Sequence, residues 1–137
     1  MQPNLQLIYP MFAMVLLTFG VGFISYRERV KAVKQGMTAK HFKTYSEGTA
    51  PESMVKADRH FVNLFEMPVL FYVGCIVAMI VPLVGIGVLA TTWFFVATRA
   101  VHAYLHIGPN KLLPRMSIFM VSCLTIIALW IQIVIAI

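Results

Sequence analysis

"MPVLFYVGCIVAMIVPLVGIGVLATTWFFVAT", Met67 to Thr98, is an unbroken run of 32 residues without a charge. A membrane-spanning helix takes about 20 predominantly apolar residues, so the run is too long for one straight span and too short for two spans with a turn between them. At its middle, "VPLVGIGV" (residues 81–88) supplies Pro82, Gly85 and Gly87, the residues of a tight hairpin. Two helices meeting there need residues from outside the run, roughly 60–81 and 86–107. Arg59, Glu66 and Arg99 are thereby drawn to or below the membrane surface. The competing arrangement is one long helix over 67–98.

Charge decides between them. Residues 1–26 and 116–137 are also uncharged and each supplies one span. With four spans, all 11 Lys and Arg and all five Asp and Glu lie in or beside the 27–59 and 99–115 connections, on one face. With three spans the cations would be split between two faces. The positive-inside rule therefore favours four spans, with both connections cytosolic and both termini on the extracytoplasmic side. The first run lacks the basic start and cleavage pattern of a signal peptide and reads as a retained helix.

Composition agrees: 60% of the 137 residues are hydrophobic and 12% charged, against about 25% charged in soluble proteins. The net charge of +6 is thus a topological signal, and no nucleic-acid partner is expected. The expected fold is all-α, an integral membrane four-helix bundle in a single domain over 1–137. Its helices fall at about 5–26, 56–81, 86–107 and 115–136, with a cytosolic loop over 27–55. In that loop "YRERVKAVKQG" continues as a basic helical turn or two until Gly36, facing the headgroups of membrane lipids. Glu52 or Ser53 starts the second span after Pro51. Cys75 and Cys123 lie in apolar helices and read as small packing residues.

The spans carry a polar constellation. In "RHFVNLFEMP" (59–68), a turn of about 100° per residue puts Asn63 and Glu66 within about 40° of Arg59 on one helix face. Glu66 lies about 10 Å along the axis from Arg59, so this stripe is expected to face the bundle interior or a partner subunit. In "TRAVHAYLHIGPNKLLPR" (98–115), His102 and His106 share a face with Arg99, while Tyr104 points about 140° away. Arg99 reaches nearly the depth of Glu66, which predicts an ion pair or shared network between them. Arg115 opens the last helix behind Pro114. So many cationic donors in a half-buried pocket suit an anionic ligand. His102, His106 and Glu66 are also ligand types for zinc, but three arginines would repel a divalent cation, and no metal is expected.

These two motifs resemble those of the MAPEG family, the membrane-associated proteins in eicosanoid and glutathione metabolism, along all four spans. The first is Arg59, Asn63 and Glu66 followed by Pro68; the second is Arg99, His102, His106 and then Arg115. The resemblance implies a homotrimer with glutathione, as co-substrate, bound between neighbouring subunits. Arg59, Asn63, Glu66, Arg99, His102 and His106 would form the cradle, and Arg115 would be the catalytic residue that holds the thiolate. It implies glutathione transferase or peroxidase chemistry on a hydrophobic small molecule or lipid. The family's other forms leave two alternatives: a non-catalytic lipid-binding scaffold, or a binder of another anionic thiol. His106 stands where the glutathione-using lipid synthases of the family have tyrosine, so the chain looks more like the bacterial branch, in a bacterial inner membrane.

The orientation has a direct test. A cysteine introduced at residue 137, with Cys75 and Cys123 replaced by alanine, should react with a membrane-impermeant maleimide from the extracytoplasmic side of sealed vesicles. Labelling from the cytosolic side alone overturns it.

Overall fold

The computed structural model describes residues 3–38, 40–44, 50–81, 83 and 85–137. A 3-10 turn, Pro3–Leu7, leads into α1 (Ile8–Lys34); a single helical turn, α2 (His41–Thr44), precedes α3 (Glu52–Ile80), α4 (Ile86–Ile107) and α5 (Leu112–Ile135). The described residues contain no strand. Four helices, those containing α1, α3, α4 and α5, are long and apolar enough to cross a membrane.

Several boundaries differ from the sequence-based expectation. The first helix does continue past residue 26 through the basic turns expected before Gly36, ending at Lys34; "YRERVKAVK" contains no breaker, and Arg29 is anchored on α3. Gly36 follows at φ 98°, a left-handed conformation that glycine adopts without a Cβ penalty. The second span starts at Glu52, one of the two starts expected after Pro51 and four residues before the approximate bound of 56; Pro51 stands directly before it with φ −55° and ψ 138°, an extended conformation that proline's ring allows. The loop expected over 27–55 therefore shrinks, and its residues 45–49 lie outside the described residues.

The last helix begins at Leu112, so Arg115 is its fourth residue and not its first. Pro114 is accommodated within that opening turn, where the amide it lacks has no intrahelical partner to lose. At the expected hairpin, Val81 turns and Gly85 is extended at φ −102° and ψ 172°. Gly87 is already inside α4, and Pro82 lies outside the described residues.

Helices α1 and α3 lie side by side, as do α4 and α5, with α3 also against both α4 and α5. Between them sits an apolar core that includes Met14, Leu64, Phe71, Phe95, Ile126 and Leu129. The Phe71 and Phe95 rings stack with centroids 4.6 Å apart. The outward surface is no less apolar: Phe19, Ile80, Leu113 and Ile135 are each more than 70% exposed. An apolar shell of that extent calls for lipid or a partner chain around it. Backbone-satisfied helices are the elements that such a setting permits.

Close approach of α3 and α5 depends on Gly74. A Cβ there would lie 2.9 Å from Leu129 Cδ2 and 3.5 Å from Trp130 Nε1, and Trp130 Nε1 donates to the Leu70 carbonyl at 3.2 Å. Gly74→Val is accordingly expected to cost about 1–3 kcal/mol through overpacking, read as a lowered thermal midpoint in detergent. An unchanged midpoint would show that α5 can give way at this crossing.

Candidate functional site

The charged ends of the helices enclose a cavity of about 920 Å³, at the upper end of the range of about 300–1,000 Å³ typical of ligand sites. Three helices build it. From α3 come Asp58, Arg59, Asn63 and Glu66; from α4 come His102 and His106; from α5 come Arg115, Met116, Phe119 and Met120. Arg29 and His41 close its outer side. The polar groups come from α3 and α4, where Met54, Val55 and Val62 of α3 add apolar surface, and beyond Arg115 the α5 wall is thioether and aromatic.

Helical spacing explains the polar wall. Arg59, Asn63 and Glu66 follow one another at four- and three-residue intervals and present a continuous stripe, with Asp58 one residue to its side. Two of these groups are already engaged by the fold. Asp58 accepts from Arg29 Nε at 3.0 and 3.2 Å and from Ser25 Oγ, which ties α1 to α3. Asn63 donates through Nδ2 to Glu66 Oε2 at 3.4 Å and accepts on Oδ1 from Arg99 Nη2.

Arg99 does not line the cavity. It is fully buried at 0% exposure, behind Asn63, and its guanidinium lies 6.0 Å from the Phe119 ring centroid. Its Nε and Nη1 have no hydrogen-bond partner among the described residues. The expected link between Glu66 and Arg99 therefore takes the form of a network bridged by Asn63. Glu66 itself is exposed on the monomer, in keeping with a face that opens onto the cavity.

His102 and His106 are brought together as the spacing implied, with ring centroids 5.6 Å apart. A third ring joins them. His60 is fully buried, 5.0 Å from the His102 ring and 5.1 Å from the His106 ring. Sequence reasoning passed over it because its one-residue offset from Arg59 rotates it about 100° off the polar stripe. That rotation is what turns it inward against α4. The Nδ1 atoms of His102 and His106 and both nitrogens of His60 have no partner among the described residues. Even so, no group of three His, Cys, Asp or Glu side chains among those residues is arranged to hold a metal ion.

Arg115 is half-buried at the mouth of the cavity, and its Nη1 donates to Asn110 Oδ1 in the turn before α5. Asn110 and Phe119 were also invisible to a reading of spacing. One lies in a connection and the other is a core-type aromatic, so neither carries a periodic signal. What the assembled site offers is a set of N–H donors, with Arg115 held by Asn110 and Arg59 exposed beside it, facing an apolar wall. Such a cavity suits an anionic, polar ligand beside an apolar one.

The model of the MAPEG family matches residues 7–135 of the chain. No curated protein and no solved structure matched it.

The Asn63 bridge makes a quantitative prediction. In a double-mutant cycle of Asn63→Ala and Arg99→Met, the coupling energy in thermal or denaturant unfolding should be about 1.5–3 kcal/mol, as for a hydrogen bond to a charged group. A coupling near zero would mean that the two side chains are held independently.

Proposed function

The chain belongs to the MAPEG family, and from that premise we propose that it binds glutathione in the cavity at the charged end, stabilises its thiolate with Arg115, and conjugates or reduces apolar electrophiles. The proposed assembly is a homotrimer, with the cavity shared between neighbouring subunits. Its proposed setting is a bacterial inner membrane with the charged end cytosolic, in line with the gathering of cations there.

The observation that carries this reading is the unequal treatment of the cavity's arginines. Arg29 is neutralised by Asp58 at 3.0 Å. Arg59 and Arg115 line the same cavity, and neither makes an ion pair among the described residues. A tripeptide with two carboxylates and a thiol supplies the charges that these two arginines lack. Glu66, the one unpaired carboxylate of the wall, is placed to receive an ammonium group.

The chemistry needed is modest. A cysteine thiol with a pKa near 8.5 is about 3% ionised at pH 7, and lowering that pKa by about two units requires roughly 2.7 kcal/mol of preference for the thiolate. Arg115 has two sources for it. Its guanidinium stays cationic and donates charge-assisted hydrogen bonds. It also sits in the first turn of the 24-residue α5, where unpaired amides and the helix dipole add positive potential. The apolar wall of Met116, Phe119 and Met120 begins one residue further on, so an electrophile dissolved in lipid can rest against the same arginine. A non-catalytic lipid scaffold would use that apolar wall but would have no need of an unpaired Arg115.

Ultraviolet difference absorbance on adding glutathione to detergent-purified protein tests the proposal. The wild type should show a thiolate band at pH 7. Arg115→Ala should keep glutathione binding by calorimetry, lose the band, and lose about 25-fold in conjugation rate at pH 7, as the thiolate fraction falls from about 76% to about 3%. A wild type that binds glutathione without a band sinks the catalytic reading, and one that does not bind it sinks the ligand as well.

A further inference from the structure

Resting on the thiolate role just given to Arg115, we propose that Asn110 is the positioning residue of that arginine, holding its guanidinium toward the cavity without cancelling its charge. The argument starts from the backbone. Helix α4 ends at Ile107, and Asn110 takes φ 49°, the one positive φ at a non-glycine residue among those described. Side-chain-bearing residues avoid this region, and asparagine is among the few that enter it. Glycine would meet the backbone requirement with less strain. A side chain retained at such a position points to a use for the side chain.

That use is visible in its contacts. The Asn110 N–H donates to the Leu105 carbonyl at 2.8 Å, which closes the end of α4. Its carboxamide oxygen then accepts from Arg115 Nη1, five residues on and in the first turn of α5. Unheld, a cation in that turn is repelled by the helix dipole and drawn toward water or anionic headgroups. One amide oxygen occupies one of the five guanidinium donors and leaves the others free.

The choice of an amide decides the chemistry. Arg29, at the outer side of the same cavity, is held by the carboxylate of Asp58, and a carboxylate offsets the charge that it holds. Asn110 is neutral, so Arg115 keeps its full charge for an anion. Asparagine and aspartate are nearly the same shape and both tolerate the left-handed backbone. The two residues therefore separate positioning from charge.

The test uses the full-length protein in detergent, with glutathione and 1-chloro-2,4-dinitrobenzene as probes, and reads the pH titration of the thiolate band together with kcat and KM. Asn110→Gly preserves the turn and removes the amide. Its glutathione affinity should stay within about threefold of wild type, while the midpoint of the band rises by about one pH unit and kcat at pH 7 falls about threefold as the thiolate fraction drops. Asn110→Asp should raise the midpoint further, because its carboxylate pairs with Arg115 and offsets the charge that the thiolate needs. Unchanged midpoints and kcat in both variants, with the band present in the wild type, overturn the role of Asn110 and leave that of Arg115 standing. No band in the wild type fails the parent reading and takes this inference with it. If the glycine variant does not assemble, the aspartate variant decides alone, and an unchanged midpoint there overturns the proposal.

Discussion

A guanidinium with none of its surface exposed, inside a bundle whose outer surface is apolar, is the constraint on which the rest of this structure depends. Arg99 remains charged under all ordinary conditions, and an isolated buried charge costs several kcal/mol. The fold meets that cost by bringing Asn63 from α3 to accept its hydrogen bond and by laying Phe119 of α5 beside it. Three helices are thereby held in one register at the charged end. Asn63 passes the interaction on to Glu66, so the buried cation and the exposed carboxylate act on each other through a neutral amide. The stripe that lines the cavity is positioned from behind by a residue that does not itself reach it.

Polar groups elsewhere in the bundle follow the same economy. Ser25 and Arg29 converge on Asp58, Ser122 Oγ donates to Thr98 Oγ1 at 3.0 Å, and Gln132 Nε2 donates to Thr91 Oγ1 at 2.9 Å. Each pair joins two helices, because in an apolar surrounding a polar side chain finds its partner on a neighbouring helix or within its own. Apart from Glu28 Oε2, the exceptions among the described residues gather in one place. His60, His102, His106 and Arg99 keep nitrogens without a partner among the described residues, in the wall of the cavity or behind it. Concentrated polar groups at that level, in a bundle whose other polar groups are mostly satisfied, mark it as the candidate functional end of the molecule.

Much of this was legible beforehand, for reasons that differ from element to element. The 32-residue uncharged run and the placement of all cations in two connections are one-dimensional facts, and they forced four spans. The Arg59, Asn63, Glu66 stripe followed from a rotation of about 100° per residue, and the same arithmetic put His102 and His106 beside each other. Helix ends were less legible. The basic extension of the first helix was expected up to Gly36 and ends at Lys34, where a contact with α3 supports it, whereas α5 begins at Leu112, ahead of expectation, because a proline can sit in an opening turn. Neither depends on local residue type alone. His60 escaped notice since a single-helix projection shows which residues share a face but not which face meets which neighbour.

By itself, the sequence determined that the chain is a four-span helical membrane protein, that its charge collects at one end, and which side chains share each polar face. Those properties arise from hydropathy, charge and helical period, all of which act along the chain. Tertiary structure alone decided that Arg99 lies behind Asn63 and away from the cavity, that three histidine rings meet, and that Asn110 turns back to hold Arg115. These depend on distances between residues 24 or more apart in the chain, or on a left-handed turn whose purpose lies five residues away. No pattern along a single helix encodes them.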